Sequence, residues 1–216
     1  MHSEHSTPNP PAMRTDADAA AAQAHVQPVV VALIGLPGAG KSVVARAIED
    51  QLGLRRVCRD AIRHAMFPKC AYSFAEKRAA FRSLLLALEI NCLLGESSVI
   101  DGVTFSRRRD LLRVDGVIRR YEFTSIPIYL DCPPEVARAR IASDVENDRH
   151  LARDRTPEVV NEVLVRFDPP PPSALVIDAN RPGRRSVPDR GGRSRGDSWR
   201  ALADCADAAE IMPLNG

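Results

Sequence analysis

Apolar residues between positions 29 and 178 follow two spacings, and the two spacings alternate along the chain. Short apolar or β-branched runs predict strands, and an apolar residue at every third or fourth position predicts a helix. The predicted strands cover 29–34, 56–58, 99–101, 126–131 and 174–178. The predicted helices cover 41–52, 61–66, 74–94, 107–120, 134–144 and 157–167. This alternation predicts an α/β three-layer sandwich in which helices cover both faces of a five-stranded, mostly parallel sheet.

Side-chain chemistry marks the start of two predicted helices. Ser73 with Glu76 three residues later has the pattern of a capping box, and Thr156 followed by Pro157 predicts an N-cap and a first helical residue. Right-handed connections bring the C-terminal ends of parallel strands to one edge of the sheet. We therefore expect a ligand crevice along that edge.

The 216 residues divide into one predicted domain and two less regular flanks. Residues 1–28 are rich in Pro, Ala, Ser and His and predict a disordered leader, while 29–180 are expected to form the domain. Residues 181–216 predict an Arg/Gly-rich, mostly disordered tail, in which 181–200 alone carries +5 against +2 for the whole chain. The basic run allows contact with nucleic acid, but a solvated tail is the favoured interpretation.

Cysteine usage and hydropathy indicate the compartment. The five cysteines are scattered and form no C-x-x-C pair, which fits a reducing environment better than a disulfide scaffold or a zinc site. The first 28 residues lack the apolar core of a secretory signal, and no segment approaches the roughly 18 apolar residues of a membrane span. We expect a cytoplasmic protein that does not use a membrane.

The first predicted strand runs into a complete G-x-x-x-x-G-K-[ST] motif. A phosphate can be surrounded by backbone N–H groups only where no Cβ blocks the approach, and the following helix directs its positive N-terminal end at the same anion. The motif predicts that Lys41 reaches the β- and γ-phosphates and that the Ser42 hydroxyl joins a magnesium shell. The predicted nucleotide-binding residues are Gly35, Leu36, Pro37, Gly38, Ala39, Gly40, Lys41, Ser42 and Val43.

Asp60 follows the second predicted strand and therefore lies at the same sheet edge as the glycine-rich loop. Its carboxylate could accept a proton from a hydroxyl that attacks the γ-phosphate, or it could cap the next helix. The residues alone favour neither interpretation. Arg63, one helical turn later, could hold the substrate or pair with Asp60.

Asp101 ends the third predicted strand in the Walker-B pattern, which predicts a carboxylate that holds magnesium, through water. Three consecutive arginines, 107–109, follow shortly after it. A helix turns about 100° per residue, so they cannot all face one site. Arg107 is our candidate for a substrate contact.

The segment at about 144–160 has the composition of a mobile lid, with arginines that could close over a triphosphate. A surface helix with Arg–Asp pairs is the alternative interpretation for any single arginine. The candidates in and near this segment are Arg138, Arg140, Arg149, Arg153 and Arg155.

Five stretches resemble P-loop kinases of small molecules, which carry an AAA-type ATP-binding domain. The resemblance covers about 29–180 and is strongest to the polynucleotide-kinase and zeta-toxin-like group, with chloramphenicol phosphotransferase as a further relative. The stretches are GLPGAGKS, RDAIRHAMF, VIDGVTFSRR, IYLDCPPEVARARI and VIDANRP.

The resemblance implies roles for several residues. Asp60 would be the catalytic base, and Arg140 would lie against the adenine. The lid arginines would lie among Arg149, Arg153 and Arg155, of which Arg149 and Arg155 are the candidates for catalysis. The loop 180–182 resembles one that borders the base. The sequence departs from this group where Arg/Gly-rich residues replace a closing helix, and where Ser143 and Asp144 stand in place of an expected arginine.

The leading hypothesis is a phosphotransferase that uses ATP and Mg²⁺ and moves the γ-phosphate to a hydroxyl of a small molecule or nucleotide end. The alternative is a nucleotide-dependent switch module without transfer to an acceptor. A Ras-type GTPase is disfavoured because the chain has no N-K-x-D tetrapeptide.

Overall fold

The computed structural model describes residues 28–146 and 156–180, together with the backbone of 185–186. Residues 1–27 of the predicted leader, residues 147–155 and nearly all of the predicted tail lie outside these residues. The strands are β1 (Val29–Ile34), β2 (Arg55–Cys58), β3 (Ser98–Asp101), β4 (Thr124–Asp131), β5 (Leu175–Asp178) and β6 (Arg185–Ser186). The helices are α1 (Lys41–Leu52), α2 (Arg59–Met66), α3 (Phe74–Leu93), α4 (Arg108–Ile118), α5 (Pro134–Glu146) and α6 (Val159–Leu164).

The described strands form one sheet in the order β2-β3-β1-β4-β5-β6. Neighbouring strands from β2 to β5 are parallel, which confirms the predicted five-stranded parallel sheet. The two-residue β6 adds an antiparallel edge, with Ile177 opposite Arg185. This strand lies in the tail that the sequence predicts to be mostly disordered. No pattern in the sequence indicates it, because the backbone hydrogen bonds of so short a strand require no apolar pattern.

The strand β1 is buried along its whole length and separates two apolar layers. Val31 and Leu33 pack in the layer that contains residues of α1, α5 and α6. Val30 and Ile34 pack in the opposite layer, against residues of α3 and α4. Successive side chains of a strand point to opposite faces, so an unbroken apolar run fits a central strand covered on both sides. The predicted helices on both faces are confirmed.

The long helix α3 begins with the predicted capping box. The Ser73 hydroxyl accepts a hydrogen bond from the Glu76 N–H at 3.2 Å, and the Glu76 carboxylate accepts one from the Ser73 N–H at 2.7 Å. Backbone donors that the first turn of a helix leaves unpaired are satisfied in this way. The cap therefore fixes where α3 starts.

The last described helix is shorter than predicted. The helix α6 begins at Val159 with Glu158 as its N-cap, so the prediction of Thr156 as N-cap was wrong. The Thr156 carbonyl instead accepts a hydrogen bond from the Val159 N–H at 3.1 Å, which forms a turn ahead of the helix. In the predicted lid, 144–146 belong to α5, and 147–155 lie outside the described residues.

Among the described residues, no helix is both long and apolar enough to cross a membrane.

Leu84 and Leu86 test how much of the stability comes from the layer that α3 covers. Leu84 is fully buried, whereas Leu86, two residues along the same helix, is 57% exposed. We expect Leu84→Ala to lower the free energy of unfolding by about 2–5 kcal/mol, since it leaves a cavity. Leu86→Ala should change it by roughly 0.5 kcal/mol or less. Urea titration of both variants measures the difference, and equal losses would contradict this packing.

Candidate active site

The glycine-rich loop occupies residues 35–40, between the end of β1 and the first turn of α1. Gly38 has a left-handed backbone, with φ of +80°, and a Cβ at this position would overlap the carbonyl oxygen of Ala137 in α5. Both observations require glycine. The loop is thus held between β1 and α5, with the N-terminus of α1 beneath it.

The Lys41 side chain folds back over this loop. Its ammonium donates hydrogen bonds to the carbonyl oxygens of Gly35 at 2.9 Å and Leu36 at 2.6 Å, and the residue is only 5% exposed. A buried ammonium requires such partners, because burying a charge without them is costly. The positive charge therefore lies at the mouth of the loop, where the sequence predicted a phosphate.

Ser42 and Asp101 meet directly beside the loop. The Ser42 hydroxyl donates a hydrogen bond to Asp101 Oδ1 at 2.8 Å, and the Gly102 N–H donates to the same oxygen at 2.7 Å. Asp101 is 2% exposed. A hydroxyl and a carboxylate are the hard oxygen ligands that Mg²⁺ prefers. No cluster of three or more His, Cys, Asp or Glu that could hold a metal ion occurs in the described residues.

Arg56 is a neighbour of Asp101 that the sequence analysis missed. Its Nη1 lies 3.2 Å from Asp101 Oδ2, and its Nε lies 2.7 Å from Glu49 Oε2 on α1. The hydrogen bond to Glu49 is the main cause that raises the pKa of Arg56, against the opposing effect of burial. The carboxylate predicted to face magnesium therefore has a permanent cation on its other side.

Asp60 lies in the first turn of α2 and is 4% exposed. The N-cap of this helix is Cys58, so Asp60 is not the N-cap residue that the alternative interpretation required. A Cβ at Gly102 would lie 3.1 Å from the Asp60 nitrogen and 3.2 Å from its carboxyl carbon. The missing side chain of Gly102 thus lets Asp60 approach the strand end that carries Asp101.

Two arginines pair with Asp60, and one of them also contacts an aromatic ring. Arg63 Nη2 lies 3.0 Å from Asp60 Oδ1, and Arg59 Nη2 lies 3.5 Å from the same oxygen. The Arg63 guanidinium also stacks over the Tyr72 ring, 4.7 Å from its centroid. Arg63 is 4% exposed, so of the two predicted possibilities the structure shows the pair with Asp60. Contact between Arg63 and a substrate remains a prediction.

Arg140 lies on the other side of the loop. It donates to the carbonyl of Ala179, after β5, at 3.0 Å, and its Nη1 lies 3.8 Å from the Cys132 sulfur, after β4. Burial raises the pKa of the Cys132 thiol, while Arg140 and Lys41 act in the opposite direction. A cavity of about 600 Å³ opens beside these strand ends, and its walls include Leu36, Tyr129, Cys132, Phe167, Asp178 and Asn180.

The remaining predicted residues do not join this group in the described structure. Arg107 is the N-cap of α4, and its described contact is an ion pair with Asp168 at 3.7 Å. Asp168 also accepts from the Arg108 N–H at 2.8 Å, so Arg107 and Asp168 together define the start of the helix. Arg149 and Arg155 lie outside the described residues.

A protein-family model matches more than half of this chain. The model described as AAA domain (AAA_33) matches residues 30–170 of this chain. The matched range starts within β1 and ends ahead of β5, so it includes the loop, Asp60 and Asp101.

Three individual proteins similar to this chain share 30% sequence identity with it or less. An adenylyl-sulfate kinase of Geotalea daltonii is 30% identical over 122 residues, which cover 53% of this chain and 57% of the relative. The chain thus spans less than two thirds of that curated relative. A protein of Chloroflexus aurantiacus superposes with a TM-score of 0.60 at 23% identity, over 74% of this chain and 91% of its own. A gluconokinase of Sinorhizobium meliloti gives 0.54 at 16% identity, over 85% and 94%. The fold is that of P-loop kinases.

Substitution of Gly38 and Gly53 distinguishes the cost of a steric overlap from the cost of a left-handed backbone. Both have positive φ, but a Cβ at Gly53 would meet nothing within 4 Å. Gly53→Ala should cost about 1–2 kcal/mol through the left-handed backbone alone. Gly38→Ala should cost clearly more, since it must also displace the Ala137 backbone. Thermal and urea unfolding measure both, and equal costs would show that the loop does not press against α5.

Proposed function

The chain belongs to the AAA domain family (AAA_33), and from this we propose that it is an ATP-dependent phosphotransferase. It moves the γ-phosphate of ATP to a hydroxyl of a small molecule or nucleotide end. The observation that carries the proposal is the meeting of three features at one sheet edge. These are the phosphate loop with Lys41, the Ser42–Asp101 pair, and the buried carboxylate of Asp60.

The transfer step follows from these positions. The backbone N–H groups of the loop and the Lys41 ammonium bind the β- and γ-phosphates. The acceptor oxygen attacks the γ-phosphorus as the bond from that phosphorus to the β,γ-bridging oxygen breaks, and Asp60 accepts the hydroxyl proton. The products are ADP and a phosphate monoester. Arg63 restrains the Asp60 carboxylate through its own contact with Tyr72.

Ser42 and Asp101 are the residues that would hold Mg²⁺, the first directly and the second through water. Mg²⁺ held by these residues would supply positive charge that offsets the negative charge developing on the leaving group. The hydrogen bond between the two side chains already orients the Ser42 hydroxyl and the Asp101 carboxylate.

The nucleoside end of ATP is assigned to the region of Arg140 and the cavity beside it. Arg140 is anchored to the carbonyl of Ala179, which leaves its planar guanidinium available to stack on an adenine. Arg149 and Arg155 are proposed to act from the lid on the transferred phosphoryl group, and Arg107 to contact the acceptor. These assignments continue the predictions from sequence.

The acceptor is proposed only as a class, an alcohol. One relative is described as a kinase of adenylyl sulfate and another as a gluconokinase, so the relatives do not agree on an acceptor. A switch module without transfer chemistry needs the loop, Lys41 and Asp101, but has no use for a buried carboxylate at position 60. Asp60 therefore favours the transferase.

Lys41→Ala tests the binding of nucleotide. At a nucleotide concentration 100-fold above Kd, the wild type should gain about 2.7 kcal/mol of stability. For a chain of this size that corresponds to a rise in melting temperature of roughly 5–10 °C. Lys41→Ala should abolish the rise, whereas Lys69→Ala, which removes an exposed ammonium elsewhere, should keep it. A rise that persists in Lys41→Ala would contradict the proposal.

Asp60→Asn separates transfer from binding. The protein, Mg²⁺ and ATP labelled in the γ-phosphate are incubated with a cell extract and an oligonucleotide mixture, and the labelled product identifies the acceptor. Asp60→Asn should keep the affinity for ATP and slow product formation by about 10²–10⁴-fold. Asp110→Asn, which alters an exposed pair with Arg113, serves as the control. Undiminished transfer in Asp60→Asn would exclude it as the base, and ATP binding without any product would favour the switch module.

A further inference from the structure

Arg56 connects two carboxylates that belong to different parts of the fold. It lies on β2, where Arg56 pairs in register with Val99 and Cys58 with Asp101. Side chains two residues apart along a strand point to the same face. Arg56 and Asp101 therefore lie on the face covered by α1, which supplies Glu49.

The arrangement around Arg56 leaves little freedom to the guanidinium. Its Nε is bound by Glu49 at 2.7 Å and its Nη1 by Asp101 at 3.2 Å, and 29% of the side chain is exposed. Asp101 Oδ1 is meanwhile bound by the Ser42 hydroxyl and the Gly102 N–H. The cation thus occupies Oδ2, the oxygen that Ser42 and Gly102 do not use.

A positive charge at this distance has two effects on a metal ion near Asp101. It fixes the plane of the carboxylate, and it offsets part of the negative charge that attracts a divalent cation. Ser42 and Gly102 orient the carboxylate as well, so its orientation does not depend on Arg56 alone. The offset of the negative charge does depend on Arg56, because the ion pair that the described structure shows for Asp101 is the one with Arg56.

We propose that Arg56, acting through the charge of Asp101, lowers the affinity of the metal site. Its guanidinium shares the charge of Asp101, so that Mg²⁺ is held together with the nucleotide less tightly than the two oxygen ligands alone would allow. Glu49 sets the strength of this effect by binding the other side of the same guanidinium.

The inference rests on the proposed function, because it assumes that the site binds Mg²⁺ with ATP. The experiment measures the Kd of a non-hydrolysable ATP analogue by calorimetry, once with excess Mg²⁺ and once with EDTA. The ratio of the two constants is the coupling between metal and nucleotide, and it requires no catalysis.

Arg56→Gln should raise the coupling by about three- to tenfold, because a charge next to the metal ligand is removed. Arg55→Gln is the matched control. It removes the same charge from the neighbouring position of β2, where Arg55 is paired with the exposed Glu96, and it should leave the coupling unchanged. Arg56→Lys keeps the charge and should resemble the wild type.

Glu49→Gln should change the coupling in the opposite direction to Arg56→Gln. It tests the proposal even if Arg56→Gln does not fold. It leaves the Arg56 charge less compensated, so the coupling should fall several-fold. Asp50→Asn, at the adjacent exposed position of α1, is its control. An unchanged or reduced coupling in folded Arg56→Gln, or an unchanged or raised coupling in Glu49→Gln, would overturn the inference. Failure of the wild type to bind the analogue in either condition would instead overturn the proposed function.

Discussion

The parallel pairing of β1, β3 and β2 is the constraint on which the candidate site depends. Val31 of β1 lies opposite Val99 of β3, and Asp101 lies opposite Cys58 of β2. The loop after β1, the carboxylate that ends β3 and the helix that follows β2 consequently begin at one level of the sheet. A shift by one residue in the pairing of β3 with β1 would turn Asp101 to the other face, away from Ser42.

Buried charge is concentrated at this edge, and each buried ion has a partner of opposite charge or a set of carbonyl oxygens. Lys41 is held by loop carbonyls, Asp60 by Arg63, and Asp101 by Arg56. Ions that leave water are costly unless such partners are present, and loss of one partner leaves the other uncompensated. The electrostatic environment of the site is therefore set by the folded chain itself, before any nucleotide is bound.

Local sequence carried most of the information about the fold and about part of the site. The pattern that defines each of β1, the loop and α1 depends only on neighbouring residues. The bounds of β1 and α1 were therefore predicted correctly. Asp60 and Asp101 could be placed at one edge because strand ends share an edge in any parallel sheet. Arg56 could not be found in this way, since its contacts with Glu49 and Asp101 require the register of β2 on β3 and the position of α1. Arg107 forms an ion pair with Asp168, which is 61 positions further along the chain. No pattern among neighbouring residues predicts this pair.

The two outer strands of the described sheet affect how this protein behaves at high concentration. An exposed strand edge offers unpaired N–H and C=O groups to other chains, and short, charged edges resist such pairing. On one side, β2 has four residues and carries the exposed Arg55 beside Arg56. On the other side, β5 is covered by β6, which has only two residues. Both borders are thus poorly suited to recruiting a further strand, so the arginine that pairs with Asp101 also belongs to the part of the sheet that discourages aggregation.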